Sequence, residues 1–201
     1  VAYDGTAYLG WQKTGTGRSI EEALQKVLEK ILQHPVVLQA ASRTDAGVHA
    51  KGQVVNFLTT NPDLDLSRLK SSLNGLLPHD MIVLSAEEMP LNFHPTLNCI
   101  GKEYRYYICF DKWQIPYHRF YSWHVPYMLD VERISQALLL FIGTHDFSSF
   151  CNVRKNDHYS DYIREVSELK IIQLEEKRLC LSISGNHFLY KMVRNIVGTL
   201  V

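Results

Sequence analysis

Helix-like and strand-like hydrophobic periods alternate along this chain, and that alternation restricts the fold more than any other feature. Ser19 followed by Glu22 forms a capping-box pattern, and Ile20, Ala23, Leu24, Val27, Leu28, Ile31 and Leu32 then repeat at the spacing of one helix face. Val36 to Ala41 and Gln53 to Thr59 read as strands, the second rich in β-branched and aromatic residues. A second helix is expected from Leu66 to Leu77 and a strand from Met81 to Ala86. Asn92 to Gly101, with Pro95 and little periodicity, marks a junction. Beyond it Tyr104 to Phe110 and Phe120 to Val125 suit strands, and Asp130 caps a helix running through Ile134, Leu138 and Phe141. After a loop holding Thr144 to Phe150, Val166 to Leu174 and Arg178 to Ser184 read as a strand pair. A last helix presents Leu189, Met192, Val193, Ile196, Val197 and Leu200 on one side, with Lys191, Arg194 and Asn195 mostly on the other. The pattern predicts an α/β (α+β) chain in two halves, 1–92 and 93–201. No residue-level repeat relates them.

With 201 residues, 46% of them hydrophobic, the chain can bury one large core or two small ones. Lys plus Arg total 21 and Asp plus Glu total 21, so net charge offers nothing to a nucleic acid and any such site must be local. Gly185 to Val201, which holds Lys191 and Arg194 and no acidic residue, is one place for it. Cys99, Cys109, Cys151 and Cys180 form no Cys-x-x-Cys pair and read as reduced thiols of a cytoplasmic protein. Apolar stretches such as Ala137 to Ile142 fall far short of the roughly 20 residues that cross a bilayer, so no membrane role is expected. The chain opens as if partway along a strand and stops inside a helical pattern, and further sequence is expected at both termini.

Asp45 is the residue with the most chemical promise. Ala46 and Gly47 follow it, small residues that let a ligand or another backbone approach. Its carboxylate could act as nucleophile or base. An isolated Asp before Ala-Gly reads first, however, as a turn residue. Arg43, two residues back, would share its face on a continuing strand, holding a phosphate or keeping Asp45 ionised; a surface ion pair is the plainer reading. An aspartic-protease assignment fails on order, because that chemistry uses Asp-Thr-Gly where this chain has Thr44-Asp45-Ala46.

The run Arg43-Thr44-Asp45-Ala46-Gly47-Val48-His49 closely resembles the signature of the TruA family of transfer-RNA pseudouridine synthases. Four other blocks agree in order and spacing: Tyr3-Asp4-Gly5 with Gly10-Trp11-Gln12, Lys102 to Tyr106, Asp146 to Phe150, and Met192 to Gly198. Five ordered blocks are more specific than any one. Ser42 stands where the family pattern commonly has Gly, a change that could stiffen the loop but leaves the carboxylate in place.

The resemblance implies two ferredoxin-like or RNA-recognition-like α/β halves, with mainly antiparallel sheets joined across a central catalytic cleft. It implies isomerisation of uridine to pseudouridine at positions 38, 39 and/or 40 of the tRNA anticodon stem-loop, by a homodimer. Asp45 matches the catalytic aspartate, and Tyr104 the tyrosine that stacks on the target base, which needs a new π surface once unstacked. By itself the Tyr104 to Tyr107 run would read as good strand residues. Arg194 corresponds to the basic partner that keeps the aspartate ionised, and Arg43 to the arginine that holds the flipped nucleotide. His49 closes the motif, as an RNA contact or as a loop brace. A binding patch is expected from Arg18, Arg43, Lys51, Lys102, Arg105, Lys191 and Arg194. The reaction is redox-neutral and needs no group donor, so no cofactor is expected; the nine histidines show no ligand spacing that demands a metal. Two alternatives belong to other classes, a non-catalytic RNA-binding relative of the same fold and an unrelated aspartate-dependent hydrolase.

Overall fold

Ser19 caps the first helix as its position predicts: its Oγ accepts from the Glu22 N–H at 3.2 Å, and α1 runs Ile20–Leu32 with Ile20, Leu24 and Leu28 turned into the core. The computed structural model describes residues 1–153 and 159–201. The chain divides into two compact units, Val1–Cys99 and Ile100–Val201, where the expected boundary lay between 92 and 93. No helix among the described residues is long and apolar enough to cross a membrane.

The first unit is built on helices and very short ladders. β1 (Ala2–Tyr3) and β4 (Met81–Ile82) pair antiparallel, as do β2 (Gln39–Ala40) and β3 (Val55–Asn56). α2 (Leu66–Leu76) is capped by Asp65, whose carboxylate accepts from the Ser67 and Arg68 N–H groups. Tyr3, Tyr8, Trp11, Leu24, Leu28, Leu69, Leu73 and Met81 belong to its core. The strands expected over Val36 to Ala41, Gln53 to Thr59 and Met81 to Ala86 shrink to two residues each. Part of the reason is that Tyr3 bridges to Ala50 and Gln53 exchanges backbone bonds with Val1, so backbone groups in this stretch are shared between neighbours.

The second unit carries one five-stranded sheet in the order β6-β5-β9-β8-β7: β5 (Lys102–Cys109), β6 (Trp123–His124), β7 (Gly143–Asp146), β8 (Ile163–Glu175) and β9 (Arg178–Gly185). All pairs are antiparallel except β5 with β6. α3 (Val131–Ala137) starts at Asp130, whose carboxylate accepts from the Arg133 N–H, and tightens into a 3₁₀ turn over Leu138–Phe141 rather than running on as one helix. α4 (Met192–Leu200) buries Met192, Ile196 and Val197 against Leu179, Leu181 and Ile183 of β9 and Val166 of β8, all at 0% exposure. The architecture is therefore mixed α/β with mainly antiparallel sheets. β7 lies where the sequence suggested a loop, because its Gly-Thr-His-Asp lacks the apolar alternation that marks a half-buried strand.

Candidate active site

The Arg43–His49 loop leaves β2 and folds against the Tyr3–Trp11 segment. The Trp11 N–H donates to the Thr44 carbonyl at 3.0 Å, the Gly47 N–H to the Tyr8 carbonyl at 3.2 Å, and the Thr44 and Tyr3 hydroxyls lie 2.8 Å apart. Two glycines make room. A Cβ on Gly5 would collide with the Val48 carbonyl, and one on Gly10, which sits at φ 94°, would lie 2.5 Å from the Thr44 carbonyl oxygen. The first two N–H groups of α1, which no helical carbonyl can reach, donate to the Gly10 and Trp11 carbonyls. The first-turn glutamate Glu21 accepts from the Gln12 side chain at 2.8 Å and the Lys13 N–H at 2.7 Å.

Asp45 opens a turn, but through its backbone. Its carbonyl accepts from the Val48 N–H at 3.2 Å, and Gly47 supplies the positive φ (76°) that a type II turn needs at its third residue. Other aspartates use their side chains for such work. Asp4, Asp65, Asp130, Asp146 and Asp161 each accept from a backbone N–H two or three residues ahead. The half-buried Asp45 carboxylate does not, and among the described residues of its unit it has no hydrogen bond or ion pair. Arg43 is exposed and also makes no ion pair within the unit, and Lys51 is exposed.

His49 sits in a bracing position. Its Nδ1 accepts from the Gly5 N–H at 3.1 Å and lies 3.0 Å from an Asp4 carboxylate oxygen. Arg18 is likewise engaged: its guanidinium lies 3.5 Å from Asp80 and 4.4 Å above the Tyr8 ring, while the Tyr8 hydroxyl donates to Asp80 at 2.5 Å. Burial, and then the Asp80 carboxylate, push the Tyr8 phenol well above its ordinary range.

In the second unit Tyr104 lies opposite Ile183 on β9, on the face that continues through Tyr106 and Ile108 into the helix-covered core. Its ring meets Phe188 edge-on, centroids 5.0 Å apart. Lys102 shares that face by strand alternation. Arg105 stands on the opposite one, 2.7 Å from Glu103, which also accepts from the Ser182 hydroxyl at 2.7 Å. Those two bonds, Arg105's first, hold the Glu103 carboxyl below the usual carboxylate range. Lys102 and Arg105, both expected in one binding patch, thus lie on opposite faces of β5.

Lys191 ends the β9–α4 loop in a left-handed conformation at φ 60°, its ammonium 5.2 Å from the Tyr190 ring, and Arg194 projects exposed from the first turn of α4. Asn195 does not join them on the solvent side. Its amide donates to the Phe150 carbonyl and the Asn152 side chain, both at 2.8 Å, tying α4 to the Asp146–Phe150 block. Sequence reading also passed over His187. Burial, and then the charges of Lys102 and Arg164, hold its imidazole below its ordinary pKa, which favours the neutral ring. Beside it a groove of about 460 Å³ is lined by Lys102, Glu103, Glu165, Ser184 and Asn186. The only sequence signal there is the polar Gly185-Asn186-His187 interruption between a strand and an apolar helix. Among the described residues no group of three His, Cys, Asp or Glu side chains could hold a metal ion.

A family model described as tRNA pseudouridine synthase matches residues 1–97 and 137–201. The unmatched stretch between them contains β5 and so Lys102, Tyr104 and Arg105. Full-chain relatives cover it. The tRNA pseudouridine synthase A 2 of Protochlamydia amoebophila (strain UWE25) is 61% identical over 201 residues, spanning 100% of this chain and 77% of the relative. The tRNA pseudouridine synthase A 1 of the same organism is 45% identical over 203 residues, with 100% and 78% covered. The tRNA pseudouridine synthase A of Thermoanaerobacter sp. (strain X514) is 42% identical over 200 residues, with 100% and 80% covered.

Proposed function

Since the chain belongs to the tRNA pseudouridine synthase family, an isomerase family, we propose that it converts uridine to pseudouridine at positions 38, 39 and/or 40 of the tRNA anticodon stem-loop, with Asp45 as the reacting group. One observation carries the assignment of Asp45. Its carboxylate stands in a turn closed by backbone alone, so the side chain is spared the capping work that occupies other aspartates of the chain.

In the reaction the bond from the ribose C1′ to N1 breaks, the base turns, and C1′ bonds to C5; C5 gives up a proton and N1 ends with one, so the composition of the nucleotide is unchanged. Asp45 acts as nucleophile or base in the detachment. Tyr104 supplies the ring on which the extruded base stacks, its place on the strand already fixed by Phe188. Arg194 is the cation that favours the carboxylate form, and Arg43 holds the substrate's backbone. Lys51, Lys102 and Lys191 add cations to the RNA surface. His49 serves the loop as a brace, and Arg105, on the far face of β5 and ion-paired, stands apart from that surface. The enzyme acts as a cytoplasmic homodimer without cofactor.

The test is to incubate the protein with unmodified tRNA and map pseudouridine for wild type and Asp45→Asn. Product should be lost in the variant while tRNA binding persists, because the substitution keeps shape and removes charge. Equal activity in both would sink the mechanism. Binding by a wild type that forms no product would favour the non-catalytic relative.

A further inference from the structure

Gln53 is buried, at 6% exposure, and its amide is spent on a single residue, Ser42, immediately before Arg43. The Ser42 N–H donates to Oε1 at 3.3 Å and Nε2 donates to the Ser42 carbonyl at 2.5 Å. The amide has one orientation only, since turning it over would set N–H against N–H and C=O against C=O.

Register explains why a side chain does this. β2 and β3 pair Gln39 with Asn56 and Ala40 with Val55, and the Ala41 N–H donates to the Val54 carbonyl at 2.9 Å. Continued one step, that ladder sets Ser42 opposite Gln53. Gln53's own backbone faces the other way, its N–H donating to the Val1 carbonyl at 2.8 Å and its carbonyl accepting from the Val1 nitrogen at 2.7 Å. Hydrogen-bonded and non-hydrogen-bonded rungs alternate in an antiparallel ladder, so after the 41/54 rung no backbone bond is due at 42/53, and the amide supplies two side-chain bonds there instead, at the base of the Arg43–His49 loop.

We infer that Gln53 is a positioning residue for Asp45: its two bonds to Ser42 fix where the Arg43–Asp45 segment leaves the sheet, and so fix the carboxylate against the uridine. The inference rests on the role proposed for Asp45. Because the reaction demands placement to a fraction of an ångström, loosening this anchor lowers the rate of the chemical step and leaves tRNA binding to the cations and rings elsewhere.

Gln53→Met, which matches the length and keeps neither bond, should lower kcat by about tenfold to hundredfold with little change in KM or in tRNA affinity. Gln53→Glu supplies a second readout. A neutral carboxylic acid offers one donor and one acceptor, as the amide does, whereas a carboxylate turns a negative oxygen toward the Ser42 carbonyl. Its kcat relative to wild type should therefore rise as pH falls from about 8 to about 6, since burial and the facing carbonyl both favour the protonated acid. If Gln53→Met fails to fold, Gln53→Glu decides the matter by that profile. A kcat within about twofold of wild type for a folded Gln53→Met, a rise confined to KM, or a flat Gln53→Glu ratio would each overturn the inference. Full activity of Asp45→Asn would instead strike at the proposed chemistry, and the two failures are told apart by which variant stays active.

Discussion

The two units hold the side chains proposed for the chemistry by different means. In the second, Tyr104 sits on an eight-residue strand whose every residue is paired with β9, itself paired with the thirteen-residue β8. A ring there is placed by register. In the first, the ladders are two residues long, and Asp45 lies on a loop held by single contacts: a tyrosine hydroxyl, a glutamine amide, two glycines and a handful of backbone bonds. A long ladder spreads positional information over many bonds, so no one bond is decisive. A loop pinned at a few points concentrates it, and small changes near Asp45 should cost catalysis more than stability.

The sharpest way to break that contrast is Gly5→Ala. The added methyl meets the Val48 carbonyl, so the loop must move as a body, and kcat should fall by about a hundredfold with a lowered melting temperature. A variant with near-normal kcat would show that the loop tolerates displacement. In the second unit Leu181→Ala, at a fully buried site in β9, should cost about 2–5 kcal/mol in denaturant unfolding while the folded fraction turns over near the wild-type rate. A large loss of turnover at retained fold would mean that the sheet transmits strain to Tyr104. The smallest effect should follow Arg105→Ala. Glu103's folded pKa lies below its unfolded one, so its bond to Arg105 contributes stability above the unfolded value, near 4.5, and that contribution disappears as pH falls through the folded value. Both side chains are about two-fifths exposed, at 42% and 41%, so melting curves of the two proteins should differ little near neutrality and converge in acid. Weakened tRNA affinity in this variant would place RNA on both faces of the sheet.

Helices were the most legible part of the sequence. α1 announces itself by the Ser19 and Glu22 capping pattern and by apolar residues three and four apart, signals that lie within one turn of chain, and α2 was expected over Leu66 to Leu77, one residue longer than it runs. The strands of the first unit were overdrawn because β-branched composition reports a capacity to pair, while actual pairing depends on which distant backbone arrives. The loop around Asp45 was legible as a motif. The supports were not: the fit of Gly5 and Gly10 under residues 44–48, and the amide of Gln53 opposite Ser42, follow from contacts across about 10 to 45 residues of chain that no local pattern encodes. Asn195 misled for a similar reason, since helical periodicity assigned it to the polar side while its partners, Phe150 and Asn152, come from another element.

The close fit between the Tyr3–Trp11 segment and the Arg43–His49 loop also sets a rule for how such a chain can change. Gly5 lies under Val48 and Gly10 under Thr44, so two lengths of chain are matched against each other like the scales of a vernier. Side chains facing outward between those marks can be exchanged without disturbing the match. Inserting or deleting one residue in either length shifts every mark beyond it, taking Trp11 off the loop and the start of α1 off its two carbonyl caps together. Tolerance to substitution and intolerance to indels should therefore coexist within the same short stretch.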